Sequence, residues 1–170
     1  MFWKKTKQFD TRAKGNFPHP YRFCHLYITD KYREILFVPF GKINILAHAE
    51  VDNIVVDSWP CEFGKLQKNI ELTLNEYRNS TEYVKGNWPS FKKSKAKSQS
   101  SFETDYIRVI LETDTARNYG EKEVERIKVS AQPSVLTDTF SLVGCGHLLD
   151  TKIAQIVIDI VDGCFRIRNN

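Results

Sequence analysis

Residues 21–40 read Tyr21-Arg22-Phe23-Cys24-His25-Leu26-Tyr27-Ile28-Thr29-Asp30-Lys31-Tyr32-Arg33-Glu34-Ile35-Leu36-Phe37-Val38-Pro39-Phe40. From Tyr21 to Thr29, Phe23, His25 and Tyr27 alternate with Cys24, Leu26 and Ile28, so an extended chain here is partly apolar on both faces. Asp30-Lys31 supplies a turn, and Glu34–Phe40 resumes an apolar run expected to stop at Pro39, because a proline ring removes a ladder donor. The stretch predicts a β-hairpin. Two apolar faces require two covers, so the sheet around this hairpin determines how the remaining chain is used.

Downstream of Gly41, Lys42-Ile43-Asn44-Ile45-Leu46-Ala47 alternates as a third strand would, with a short continuation at Asn53–Val56. Asp57-Ser58 before Trp59-Pro60 offers capping oxygens and a first-turn proline, predicting a helix from about residue 60. Phe63, Leu66, Ile70, Leu74 and Tyr77 then recur at spacings of three and four, a single apolar stripe, while Lys65, Lys68, Glu71 and Glu76 face away. Tyr106–Thr113 and Arg126–Ala131 alternate as strands, and Val135–Val143 is a further strand expected to end at Gly144-Cys145-Gly146. A last helix is expected to be capped at Asp150 or Thr151 and to stop at Gly163, with Leu149, Ile153, Ile156, Val157, Ile160 and Val161 inward. These elements predict an α+β fold: an antiparallel, curved sheet of about five to seven strands with two main helices packed on it.

The 170 residues suit one domain, and 41% apolar with 27% charged residues is ordinary globular usage, which excludes a disordered or fibrous chain. Residues 1–20 are polar and end in Asn16-Phe17-Pro18-His19-Pro20, predicting an extended N-terminal arm whose Phe2, Trp3, Phe9 and Phe17 are interface anchors or fold back on the sheet. The run Ile153–Val161 is too short for a membrane span, and Met1–Lys7 has no apolar stretch behind it, so a cytoplasmic protein without membrane contact is expected. Cys24, Cys61, Cys145 and Cys164 lie far apart and lack metal-ligand spacing, which predicts free, mostly buried thiols.

The strongest local bias is residues 85–102, where Lys85, Lys92, Lys93, Lys95 and Lys97 occur with no acid, between Trp88, Phe91 and Phe102. The pattern fits a solvated connector, a phosphate-binding patch or a docking surface for an acidic protein. Nucleic-acid binding would pair phosphate neutralisation by Lys92, Lys93, Lys95 and Lys97 with base stacking on Trp88 or Phe91. The segment has no arginine, and acidic stretches flank it, so no direct nucleic-acid contact is expected.

Cys145-Gly146-His147 puts a thiol two residues from an imidazole, the pair an activated nucleophile needs. Nucleophile and base usually meet through the fold, so packing in a turn is the expected role here. Cys24 and His25 fall on opposite faces of a strand, which argues against a joint site. His19, His25, His48 and His147 match no metal spacing, and neither phosphate loop, dinucleotide fingerprint nor nucleophile elbow is present. No catalytic, metal or cofactor residues are assigned.

Two stretches carry a family resemblance: Phe17-Pro18-His19-Pro20-Tyr21-Arg22-Phe23, and Trp88-Pro89-Ser90-Phe91-Lys92 through Ser94, Lys97, Ser98, Phe102-Glu103, Tyr106-Ile107 and Val109. They resemble immunity proteins of bacterial contact-dependent growth inhibition systems. The resemblance implies a small cytosolic protein, not an enzyme, that binds the C-terminal toxin domain delivered by a neighbouring cell, often a nuclease, and occludes its active site. Inhibitors of basic nucleases tend to be acidic, whereas this chain carries net +4. The expected toxin contacts are therefore Lys92, Lys93, Lys95 and Lys97 against an acidic toxin face, or Glu121, Glu123 and Glu125 against a basic one. A nucleic-acid-binding accessory protein using the same lysines is the alternative reading.

Overall fold

The computed structural model describes residues 21–44, 47–79, 81–82, 84–116, 124–135, 141–147 and 152–168. Its elements run β1 (Phe23–Thr29), β2 (Glu34–Lys42), β3 (His48–Glu50), β4 (Val55–Ser58), α1 (Phe63–Asn75), α2 (Pro89–Lys93), α3 (Gln99–Asp105), β5 (Ile107–Ala116), β6 (Val124–Gln132), β7 (Leu142–His147) and α4 (Ile153–Arg168). The hairpin forms as expected: β1 and β2 pair from Cys24 opposite Pro39 to Thr29 opposite Glu34. Its turn closes with Arg33 N–H donating to Asp30 C=O, and Arg33 takes a left-handed φ of 51°. The other flank of β1 pairs with β5, which makes the hairpin central to a seven-stranded sheet of order β3-β2-β1-β5-β6-β7, with β4 also on β2. Every ladder between these strands is antiparallel, the sheet expected from the sequence.

Alternation along the strands separates two cores. Cys24, Leu26, Ile28, Ile35, Phe37, Ile107, Val109, Leu111, Ile127, Val129 and Ala131 face the two long helices, which contribute Leu66, Ile70 and Leu74 from α1 and Ile153, Val157, Val161 and Cys164 from α4. Tyr27, Leu36, Val38 and Phe40 face the other way and meet Phe102, Tyr106 and Val135, with Trp88 and Phe91 packed against them. The lysine-rich connector is therefore a second cover, built from α2 and α3.

Several boundaries differ from expectation for identifiable reasons. Pro39 does not end β2, because it falls in the gap between the stretch laddered to β4 (Glu34–Phe37) and that laddered to β3 (Phe40–Lys42). The expected strand over Lys42–Ala47 is not seen at its described positions: Lys42 ends β2, Ile43 and Asn44 N–H both donate to Ala47 C=O, and β3 follows, while Ile45 and Leu46 lie outside the described residues. Asp57 and Ser58 belong to β4, Trp59-Pro60 is a cis peptide, and α1 starts three residues later with the Glu62 carboxylate accepting Gly64 N–H. Within the expected stripe Leu66, Ile70 and Leu74 are buried, but Phe63 is 37% exposed and Tyr77 lies beyond the helix. Strand β7 runs through Gly144-Cys145-Gly146 to His147. Helix α4 runs through Gly163, where a Cβ would come 2.6 Å from Leu142 Cδ1: the glycine serves close helix–strand packing. The four thiols are free, with Cys24 and Cys164 buried and Cys145 exposed. The N-terminal arm and the caps at Asp150 and Thr151 lie outside the described residues.

Ile70 is fully buried between α1 and the sheet. Ile70→Ala is expected to lower unfolding free energy by about 2–5 kcal/mol in urea melts, the usual cost of a core cavity.

Candidate interaction surface

The connector holds its shape through its apolar underside and two acids of the sheet. Trp88 and Phe91 pack edge-to-face around Phe102 with centroid distances of 5.1 and 6.0 Å, and Phe102 lies 4.6 Å from Tyr106 and 5.0 Å from Tyr27. Helix α3 opens with a capping box: Ser101 N–H donates to Ser98 Oγ at 3.1 Å, and Ser98 N–H to Ser101 Oγ at 3.2 Å. At its other end Arg168 of α4 donates to the Thr104 and Asp105 carbonyls, a cation placed where a helix C-terminus favours one.

Glu50 of β3 is the first acid. Its carboxylate accepts from Ser90 N–H at 2.8 Å, Ser90 Oγ at 2.7 Å, Trp88 Nε1 at 3.2 Å and Tyr27 Oη at 3.0 Å. Burial raises its pKa above the ordinary carboxylate range, against the pull of these donors. Tyr27 has a single hydroxyl proton and donates it to Glu50. The His25 Nδ1 that lies 3.2 Å from Tyr27 Oη must then carry the imidazole proton. Burial, with Arg108 adding to it, pushes His25 down to about 3, so the ring is neutral.

Glu34 of β2 is the second acid. It is 1% exposed and accepts from Lys95 N–H at 2.8 Å and from the Tyr106 hydroxyl, and Lys95 Nζ lies 3.7 Å from its other oxygen. Burial and the Glu34 charge drive the Tyr106 phenol well up. Main-chain N–H groups of Ser90 and Lys95 are thus clasped by carboxylates below them, and the lid is registered on the sheet within α2 and just beyond its end.

The lysine side chains reach solvent, although the Lys95 ammonium folds back beside Glu34. Lys92, Lys93, Lys95 and Lys97 are all exposed. Lys92 Nζ donates to Asn87 Oδ1, and Lys95 Nζ to the Tyr32 carbonyl beside Glu34. Lys93 and Lys97 form no ion pair among the described residues. Glu121 and Glu123 lie outside the described residues, and Glu125 stands opposite Thr115 in the β5–β6 ladder with its side chain undescribed. The lysine set is therefore assembled on one platform, while the acidic set is not placed.

Among the described residues, the lid does not extend over β5–β6–β7 on the same face. Register aligns Arg108 with Gln132, Ile110 with Ser130 and Glu112 with Lys128, and continues to Val143 opposite Ser130 and Cys145 opposite Lys128. Arg108 Nε donates to Gln132 Oε1 at 2.7 Å, and Lys128 Nζ lies 3.9 Å from Glu112. Cys145 is exposed and His147 stands opposite Arg126. Among the described residues, no group of three His, Cys, Asp or Glu could hold a metal ion, and no helix is long and apolar enough to cross a membrane. Sequence reasoning missed Glu34, Glu50, His25 and Ser90. A glutamate opening an apolar run was a signal for Glu34, but Glu50 in a three-residue strand offered none.

No protein-family model matches the chain, and no curated protein does. Among solved structures, it is similar to a protein of unknown function, NMB0488 from Neisseria meningitidis, with a TM-score of 0.50 and 8% sequence identity over 78% of this chain and 87% of that one. At that identity the likeness shows a shared fold.

In Glu50→Gln an amide NH2 meets the donors of Trp88 and Ser90, and urea melts should show a loss of about 1–3 kcal/mol, the range for an unsatisfied buried group. The His25 imidazole is neutral when folded but protonates below pH ~6.5 when unfolded, so stability should fall as pH drops from there toward the folded value. The slope is about 1.4 kcal/mol per pH unit, and His25→Gln should shrink the stability difference between pH 7 and pH 5 by about 2 kcal/mol.

Proposed function

We propose that the chain is an immunity-type inhibitor that binds a cognate toxin domain one to one and blocks its active site, with the lysine-bearing lid as its contact surface. The reading rests on the resemblance of the 88–109 stretch to immunity proteins and on one observation: the lid is clasped from below, so its cations are displayed on a preordered platform. Preordering removes part of the entropy cost of association, and charge speeds encounter with a complementary face. The toxin face that fits is rich in carboxylates, as is the metal-holding cluster of many nucleases. Occlusion needs only an interface of roughly 1,600 Å² and no chemistry from the inhibitor. The cytosol, where such a toxin would act, is the proposed compartment.

Use of the same lysines on nucleic acid is the second reading. Trp88 and Phe91 are turned into the packing around Phe102, which counts against base stacking by these rings.

The test is co-expression and titration with the toxin domain encoded in the adjacent reading frame. Wild-type protein should abolish toxin activity at equimolar ratio. The triple variant Lys92→Glu, Lys93→Glu, Lys97→Glu should bind about 100-fold more weakly, about 2.8 kcal/mol, with an unchanged melting temperature. A toxin domain that stays fully active in excess wild-type protein sinks the proposal. Binding to single-stranded RNA or DNA that weakens steeply with salt, with no hold on the toxin, favours the second reading.

A further inference from the structure

Strand β7 is the last strand of the sheet, and among the described residues its outer edge has no partner. Its six residues, Leu142-Val143-Gly144-Cys145-Gly146-His147, include no lysine, arginine, acid or proline. Proteins usually protect an exposed edge with such residues, since its unpaired N–H and C=O groups template pairing with another chain. Nor can this edge bend away easily. Gly144 sits so close under α4 that a Cβ there would come 2.6 Å from Ile156 Cγ2, which holds the strand flat against the helix. On the face away from α4, Val143 is 54% exposed and Cys145 is exposed beside it.

We propose that β7 is a homodimerisation edge, pairing antiparallel with β7 of a second copy to continue the sheet across a two-fold axis. Strand geometry restricts the register. Directly opposed residues of an antiparallel pair share a face, and a two-fold axis perpendicular to the sheet also keeps each residue on its own face. The axis must therefore pass beside a residue, and the centre of the strand offers Gly144 or Cys145. With Cys145 on the axis, the two Cys145 residues oppose each other and Val143 meets His147; with Gly144 on the axis, Val143 meets Cys145. Either register covers Val143 and keeps the two Cys145 thiols within one diagonal neighbour distance on the same face. A second copy fits because the strand has no charge to oppose its own image. The nearest cations on that face, Lys128 and Arg126, stand one strand back, so across the dyad they are three strand spacings apart, about 14 Å, beyond the Debye length at physiological salt.

The test uses the full chain. Sedimentation velocity across a concentration series should show a monomer–dimer equilibrium, and Val143→Lys, a charge at an exposed site, should shift it to monomer with an unchanged melting temperature. A short bismaleimide should crosslink the wild type and Cys61→Ser to dimer but not Cys145→Ser, because Cys24 and Cys164 are buried. A monomer throughout the series, a dimer that survives Val143→Lys, or crosslinking independent of Cys145 overturns the proposal. None of these outcomes depends on toxin binding, so the dimer and the inhibitor reading stand or fall separately.

Discussion

The structure depends on a hairpin that cannot face water on either side. Strand β1 is buried from Cys24 to Thr29 and β2 from Glu34 to Gly41, so the sheet needs a layer on each face. Two long amphipathic helices supply one. The other must come from what remains, and the segment with aromatic residues at suitable intervals is the lysine-rich one. Its order is thus a consequence of the hairpin's composition: Trp88, Phe91 and Phe102 are drawn onto Tyr27, Leu36 and Val38, and the lysines between them are left on the solvent side. Charge and packing are separated within one short stretch, and the result is a cationic surface on a fixed base.

Burying an acid without partners costs several kcal/mol, and the lid depends on that cost. Glu34 and Glu50 stand in the sheet under a segment rich in N–H and O–H donors. Each acid needs the lid in place to keep its donors, and the lid needs the acids to satisfy main-chain groups that two short helices leave unpaired. The neutral His25 and the Tyr27 hydroxyl extend this network into the central strand, so lid placement and sheet integrity are coupled through a proton-bearing chain.

Much of the fold was legible because strong alternation survives tertiary context. The β1–β2 hairpin, β5, β6, α1 and α4 follow from residue period alone, as does the placement of Cys24 and His25 on opposite faces. Boundaries at Pro39, Gly144 and Gly163 were not legible, since the meaning of a proline or glycine depends on its neighbours: a gap in the ladder at Pro39, and a packed helix–strand contact at Gly144 and Gly163. The start of α1 was misplaced because capping oxygens occur at Asp57, Ser58 and Glu62, and only the extent of β4 decides among them.

The sequence by itself determined a sheet of antiparallel strands covered by two main helices, and a run of lysines without arginine. Periodicity and charge are local properties, readable without coordinates. Only the tertiary structure decided that the lysine run is a lid and not a loose connector, that Glu50 reaches across 40 positions to Ser90 and Glu34 across 61 to Lys95, and that β7 is the last strand of the sheet among the described residues. These are long-range pairings. They arise from which face of the central hairpin each segment is driven to bury, and no local pattern encodes them.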